Sequence, residues 1–156
     1  MKRNLLIILS AILFVSFQSS AFAQGSSKDV KAITEIVDKY IATINDGDLD
    51  LVGKIWSHDD CVSFIGPQGR FEGYEQIRDN LVMGFKNGFA KRDLKKENLI
   101  VVVEGKSAWA EFTWKFDAEA RNGRKSTSRG RETQIFRKEK DGWKLVHIHY
   151  SAMRGR

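Results

Sequence analysis

The C-terminal part of the chain contains four consecutive segments rich in β-branched and aromatic residues, and they constrain the fold more than any other feature. Asn122-Gly123 and Asp141-Gly142 favour two-residue hairpin turns, because both residue types tolerate positive φ. We therefore predict four strands that pair antiparallel as a meander. The four segments are Leu99–Glu104, Ala108–Phe116, Ser128–Lys138 and Trp143–Ala152.

Helical periodicity marks the residues before this sheet. Apolar residues recur at helical spacing over positions 30–44, and Asn45-Asp46-Gly47 then supplies a stop signal. Asp48 can cap a second, shorter helix. A third helix is predicted from Tyr74 to a stop at Asn87-Gly88. Helices followed by a run of strands indicate an α+β domain, with the helices packed on one face of the sheet.

The N-terminal residues have the layout of a secretory signal peptide. Lys2 and Arg3 precede an apolar run over positions 5–17, and Ala21-Phe22-Ala23 follows as a small-residue cleavage site. The run is shorter than the roughly 18 apolar residues that a membrane-spanning helix needs. We therefore predict a signal peptide over residues 1–23, export to the periplasm or the medium, and no membrane span after cleavage.

The remaining chain has the length of one domain. We predict a flexible lead over 24–27, a domain over 28–152 and a basic tail over 153–156. Without the signal peptide, 24 basic residues face 20 acidic ones and are spread along the sequence, which argues against a nucleic-acid partner. The single cysteine, Cys61, cannot form an intramolecular disulfide, and we predict a buried structural thiol.

Most motifs that carry catalytic chemistry are missing from the sequence, which has no glycine-rich phosphate loop, paired cysteine ligands or Gly-x-Ser-x-Gly elbow. His147 and His149 alternate along the last predicted strand, on the same face as Trp143, Leu145 and Ser151. Two imidazoles can share a zinc ion, but the sequence offers no obvious third ligand. We predict no metal and no cofactor, and hydrogen bonds within the sheet or at a subunit contact for these histidines.

The closing hairpin resembles that of SnoaL-like proteins of the nuclear-transport-factor-two-like superfamily, over Gly130–Thr133 and Asp141–Ser151. The Asn45–Asp48 helix break and the Phe71-Glu72-Gly73 lead into helix three match as well. Within the superfamily, the chain is similar to the association domain of calcium/calmodulin-dependent protein kinase type II. The resemblance covers most of residues 28–152. It implies a cone of three N-terminal helices in a strongly curved antiparallel sheet, with a ligand pocket and a homodimer formed through the sheet.

The resemblance also implies a pocket. The kinase association domains line theirs with arginines and a histidine, where this chain has Ile77, Thr113, Gln134 and Tyr150, so the positive charge is missing. We therefore expect a neutral, partly apolar small-molecule ligand. Side chains alternate along the strand from Ala108, so Phe112 lies on one face and Trp109 on the other. The resemblance implies that the face with Trp109 lines the pocket. The predicted pocket residues are Tyr40, Trp56, Phe64, Ile77, Trp109, Glu111, Thr113, Gln134 and Tyr150.

A second likeness is to ketosteroid isomerase, whose first helix carries a tyrosine that donates to the developing oxyanion. Tyr40 falls on that tyrosine. The carboxylate that acts as the base in the isomerase is missing from this chain, which has Phe64 at the corresponding position. Glu111, Glu132 and His149 are the remaining candidates for an acid or base.

Three functions remain open from the sequence. The first is a homodimer that binds a small, mainly apolar molecule inside the cone. The second is an enzyme of the isomerase, cyclase or dehydratase kind that uses Tyr40 with a sheet carboxylate or His149. The third is an oligomerisation module that assembles through the sheet face carrying His147 and His149.

Overall fold

A computed structural model describes residues 23–67 and 69–153. The predicted signal peptide up to position 22 and the tail beyond position 153 lie outside the described residues. The helices are α1 (Ser27–Asp46), α2 (Leu49–Ile55), α3 (Tyr74–Gln76), a π-helical stretch (Ile77–Val82) that continues it, and α4 (Met83–Gly88). The strands are β1 (Ala23–Gln24), β2 (Ser63–Gly66), β3 (Gly69–Glu72), β4 (Phe89–Glu104), β5 (Ser107–Ala120), β6 (Lys125–Glu139) and β7 (Gly142–Ala152).

The predicted helices are confirmed, and their ends follow the capping residues. The Ser26 hydroxyl accepts a hydrogen bond from the Asp29 backbone N–H at 3.1 Å and starts α1. Gly47 ends it in the left-handed region, at φ 69°, and donates its N–H to the Thr43 carbonyl. The Asp48 carboxylate accepts from the Leu51 N–H at 2.9 Å and starts α2.

The meander is confirmed as β4-β5-β6-β7, and its strands are longer than predicted. The full order over the described residues is β1-β4-β5-β6-β7-β2-β3. The sheet is mixed rather than wholly antiparallel, since β2 pairs parallel with β7 and β1 pairs parallel with β4.

Segment 24–27, the predicted flexible lead, contacts the sheet and the first helix. Gln24 pairs with Val102 through the backbone, and Ser26 caps α1, so the segment is held at both ends. Cys61 differs from the predicted buried thiol, because its side chain is exposed. It lies in the turn before β2, where the chain has not yet entered the sheet.

The helices pack inside the curved sheet and form one core with its inner face. This face carries alternate residues of β5 and β6, including Phe112, Trp114 and Phe136, all of which are buried. A register shift between Ile135 and Phe136 gives β7 one extra residue, Val146, opposite this step. Such a bulge moves every later side chain of the strand to the other face.

Because of the bulge, the two histidines lie on the face opposite to the one predicted. Trp143 and Leu145 are buried on the inner face, whereas His147 is half-buried on the outer face and His149 is exposed there. The Ser63 hydroxyl and the Nδ1 of His147 are hydrogen-bonded at 2.8 Å across the β2–β7 pair. Among helices of the described residues, none has the length and hydropathy that crossing a bilayer requires.

Candidate functional site

A cavity of about 190 Å³ lies between α1, α4 and the inner face of the sheet. Its wall is mainly aromatic and aliphatic, with a carboxyl, a serine hydroxyl and two tyrosine hydroxyls as polar points. The fold sets its position, because α1, α4 and the strands β4 to β7 all contribute lining residues. The cavity is lined by Tyr40, Ile44, Phe85, Phe89, Leu94, Trp114, Phe116, Ser128, Glu132 and Tyr150.

Glu132 is the buried acid of this cavity. It lies on β6 opposite Phe112 and Tyr150 and is only 4% exposed. Burial raises the pKa of its carboxyl to about 8, although a hydrogen bond from Gln134 acts in the opposite direction. The Gln134 Nε2 donates to Glu132 Oε1 at 2.7 Å. Glu132 is therefore largely a neutral acid at pH 7 and ionises just above it.

Tyr40 reaches the same cavity from α1. Burial raises the pKa of its phenol well above the usual 10.0, and the charges of Glu132 and Tyr150 add to this rise. The hydroxyl consequently stays protonated across the physiological range. Tyr40 can therefore serve as a hydrogen-bond donor beside an acid that titrates near pH 8.

Trp114 forms the cavity wall between these groups. Its indole lies against Gly130 of β6, where an added Cβ would stand only 2.2 Å from Trp114 Cζ2. Trp114 also meets the Tyr150 ring edge-on, with centroids 5.7 Å apart. Its Nε1 is buried and has no hydrogen-bond partner among the described residues.

Four of the predicted pocket residues lie in the core behind this cavity instead of on its wall. Trp56, Phe64 and Ile77 are fully buried, and none of them lines the cavity. Phe64 packs against Tyr150, with ring centroids 5.4 Å apart. Gln134 is also fully buried and supports the cavity through its hydrogen bond to Glu132. Of the predicted pocket set, Tyr40 and Tyr150 line the cavity directly.

Three predicted pocket residues lie on the opposite face of the sheet. Glu111 is exposed, Trp109 is half-buried, and the Thr113 hydroxyl donates to the Glu97 carbonyl at the outer face. None of the three lines this cavity, and their role in ligand binding stays a prediction. Strand alternation had separated the two faces of β5 correctly, but the choice between them rested on the resemblance. The greater hydrophobicity of the set with Trp114 and Phe116 was the signal for the inner face.

The histidines lie away from the cavity. His147 and His149 face outward from β7, and burial together with the charge of His149 lowers the pKa of His147. No group of three or more metal-ligating side chains occurs within the described part of the chain. Of the four acid–base candidates, Tyr40 and Glu132 come together, whereas Glu111 and His149 lie on the outer face.

An open groove of about 770 Å³ follows the rim of β4, β5 and β6. Several of its charged side chains are already paired. Lys91 contacts Glu119 at 3.4 Å, and Asp117 accepts hydrogen bonds from Lys115 and Thr127. The smaller cavity is the stronger candidate site, because it combines a mainly apolar wall with buried polar groups.

Comparison with known proteins agrees with this architecture. The sequence profile of the SnoaL-like domain matches residues 33–155. The chain belongs to the SnoaL-like family. Among curated proteins, none matches the sequence.

Solved structures of the superfamily share the fold. A nuclear transport factor 2 (NTF2-like) superfamily protein from Salmonella enterica is 34% identical, with a TM-score of 0.80 over 84% of this chain and 95% of that chain. A proposed dehydratase of the NTF2-like family from Streptomyces avermitilis is 17% identical, with a TM-score of 0.75 over 84% of this chain and 100% of that chain. A proposed aromatic ring hydroxylase from Novosphingobium aromaticivorans is 19% identical, with a TM-score of 0.74 over 85% of this chain and 94% of that chain.

These likenesses support the α+β cone and the SnoaL-like, NTF2-like assignment. The more specific likeness to the association domain of the calcium/calmodulin-dependent kinase stays a prediction. At identities below 25%, the second and third structures carry the fold alone.

Proposed function

We propose that this SnoaL-like protein binds a small, neutral and mainly apolar molecule in the cavity between α1, α4 and the sheet. The observation that carries the proposal is the cavity itself, a partly open space of about 190 Å³ with a mainly aromatic wall that includes the buried Glu132. A dry apolar cavity of about 150 Å³ admits benzene. The space here therefore suits one substituted ring.

The charge of the site favours a neutral ligand. Within the cavity wall, Glu132 is the one side chain that can carry a full charge near neutral pH, and its raised pKa keeps it mainly protonated at pH 7. An anionic ligand would meet no basic partner on this wall. A cation would have to ionise Glu132, which burial disfavours.

A substitution that fills the cavity with a large side chain tests this proposal. Ser128 is exposed and lines the cavity, so Ser128→Phe should occupy the space with little cost to the fold. Thr127→Phe is the matched control, since Thr127 points to the outer face. We expect acetophenone or its hydrocarbon analogue cumene to raise the melting temperature of the native protein and the control, but not that of Ser128→Phe. If neither probe stabilises the native protein, the proposal is wrong.

The buried acid favours a second candidate function, proton-transfer catalysis. Glu132 titrates near pH 8 and Tyr40 remains a donor, which is the pairing needed to remove a proton next to a carbonyl. The Glu132 carboxylate would take the proton while the C–H electron pair moves toward the carbonyl oxygen. Tyr40 would donate a hydrogen bond to that oxygen.

Hydrogen exchange at the methyl group of acetophenone in D₂O tests this second function directly. We expect exchange faster than in buffer alone, with a rate that rises with pH as Glu132 ionises. Glu132→Gln should abolish the acceleration, which for general-base catalysis is roughly 10²- to 10⁴-fold. Tyr40→Phe should reduce it, and the outer-face control Glu111→Gln should leave it unchanged. Exchange at the buffer rate in the native protein would leave binding as the function.

We also propose that two copies pair through the outer face of the sheet. Val102, Trp109, Ile135 and His147 form a cross-strand row there, and Ile135 is 40% exposed. Ile100 is exposed in the next row. The apolar surface of this row comes from Ile135 and the half-buried Trp109, and exposed apolar surface on a sheet face is typical of an interaction site. The same surface supports the oligomerisation-module alternative, if pairing is the whole function.

Ile135→Asp should convert a dimer into a monomer in analytical ultracentrifugation. Asn122→Asp in the β5–β6 turn adds the same charge away from the face and should not. A native protein that sediments as a monomer at micromolar concentration would exclude both the homodimer and the oligomerisation module.

We further propose that the protein acts outside the cytoplasm, on the strength of the signal-peptide pattern over residues 1–23. N-terminal sequencing of protein recovered from the periplasm or medium should begin at Gln24. Recovery of the uncleaved chain in the cytoplasmic fraction alone would refute export.

A further inference from the structure

A second cavity, of about 240 Å³, lies beside the proposed ligand site, between β3, the π-helical stretch and α4. We call it the side cavity, and the proposed ligand site the inner cavity. Among the residues that the structure describes, Phe85 and Phe89 are the two that line both cavities. Their rings therefore form the wall between the two spaces. The side cavity is otherwise lined by Phe71, Asn80, Leu81 and Gly84.

The wall belongs to a cluster of three phenylalanine rings. Phe85 and Phe89 are stacked, with ring centroids 6.0 Å apart and an angle of 25° between the ring planes. The Phe116 ring, which lines the inner cavity, meets each of them edge-on with centroids 5.5 Å apart. Stacked and edge-on contacts are the preferred geometries of aromatic pairs. The wall consequently has a defined position in the fold.

The backbone that carries the two rings is also held in place. Arg92 on β4 donates hydrogen bonds from its Nη1 to the carbonyl oxygen of Phe85, at 3.2 Å, and to that of Phe89, at 3.1 Å. The Nε of Arg92 donates to the Asn45 carbonyl near the end of α1, at 3.1 Å. One guanidinium therefore ties both wall residues to the helix that carries Tyr40.

Of the two wall residues, Phe85 is the one whose side chain can be changed without altering the sheet. Phe89 begins β4 and pairs with Ala120 of β5, whereas Phe85 lies on α4 and is half-buried. With the Phe85 ring in place, the inner cavity has a volume of about 190 Å³, which suits one substituted ring. Without this ring, the inner and side cavities would join into a space roughly twice as large.

We propose that Phe85 determines the size of the ligand: its ring closes the inner cavity against the side cavity, so that molecules with one ring bind and molecules with two fused rings are excluded. The inference rests on the proposed binding function and adds the residue that sets the upper size limit. Phe71 provides the matched comparison. It is also a half-buried phenylalanine and lines the side cavity, but it does not line the inner one.

Acetophenone and 2-acetonaphthone are a matched pair of probes, because they carry the same acetyl group and differ by one fused ring. Their affinities are measured by isothermal titration calorimetry on the full chain. We expect the native protein to bind acetophenone about tenfold more tightly, since forcing extra carbon atoms into a closed space costs about this factor. Phe85→Ala should reverse the preference by about tenfold, because the second ring then gains buried apolar contacts. Phe71→Ala should keep the native preference, although it enlarges the side cavity.

A more conservative variant covers the case in which Phe85→Ala does not fold. Phe85→Leu keeps an apolar side chain that closes part of the wall, so its affinity for 2-acetonaphthone should exceed that of the native protein. Far-UV circular dichroism shows whether each variant is folded. The comparison of the two ketones on the native protein needs no variant at all.

The outcomes separate the two proposals. If neither ketone binds the native protein, the proposed function fails and this inference fails with it. If the native protein binds acetophenone but binds 2-acetonaphthone as tightly or more tightly, only the size limit set by Phe85 fails. The same conclusion follows if the folded Phe85 variants keep the native preference, or if Phe71→Ala reverses it as well.

Discussion

Glu132→Gln is the substitution whose effect on stability follows most directly from the structure. The carboxyl is 4% exposed, and burial raises its pKa to about 8 from an ordinary value of 4.5. One pKa unit corresponds to about 1.4 kcal/mol, so ionising Glu132 in the folded protein costs about 5 kcal/mol relative to the unfolded chain. Glutamine at this position keeps an oxygen that can accept from Gln134 and carries no charge.

The sign of the pH dependence is fixed by the raised pKa. Below pH 4.5 the carboxyl is protonated in both states and has no effect. Between pH 4.5 and 8 the unfolded chain releases this proton and the folded protein keeps it, so the free energy of unfolding falls by about 1.4 kcal/mol per pH unit. Above pH 8 both states are ionised and the loss is complete. Glu132→Gln removes this fall.

Urea unfolding followed by tryptophan fluorescence at a series of pH values from 4.5 to 9 measures the effect. We expect the variant to gain stability relative to the native protein as the pH rises, by a total of about 5 kcal/mol. Subtracting the free energy of unfolding of the native protein from that of the variant at each pH cancels the contributions that both share. One of these is that of His147, whose lowered pKa favours the folded state at higher pH. Glu111→Gln on the exposed face is the control and should run parallel to the native protein. If Glu132→Gln also runs parallel, Glu132 is not a buried neutral acid.

Three further substitutions test how the site is held, each by thermal unfolding of the variant beside the native protein. Asn45→Ala should cost about 2 kcal/mol, because the side chain makes two hydrogen bonds to the Leu94 backbone, at 2.7 and 3.1 Å; a loss below half of that would contradict the contact. Gly47→Ala should cost about 1 kcal/mol through its φ of 69°, and no change would argue against the left-handed cap. Gly130→Ala should cost about 3 kcal/mol and shift the fluorescence of Trp114, and an unchanged spectrum would show that the ring is not packed on the glycine.

Local signals in the sequence determined the order and ends of the elements. Ser26 and Asp48 start helices by accepting backbone N–H groups within their own first turn. Gly47 ends α1 because its φ is positive. Asn122-Gly123 and Asp141-Gly142 separate strands that pair as the meander predicted. Each of these depends on neighbours within a few residues, and such neighbours are visible in a sequence.

The faces of the strands required the tertiary structure. The extra residue in β7 turns His147 and His149 outward, and no residue type in that strand announces a bulge. The inner face of β5 is decided by packing against the helices, which buries Phe112 and Trp114 and exposes Glu111.

The sequence by itself determined an α+β cone and named Tyr40 and Glu132 as candidates. Only the tertiary structure decided that these two meet, because they lie on α1 and β6 and are brought together by the closure of the sheet over the helix. The same closure buries Glu132, and burial is what changes its acidity. A property that arises from desolvation depends on atoms distant in the chain, and the residue's own neighbours in sequence cannot supply it.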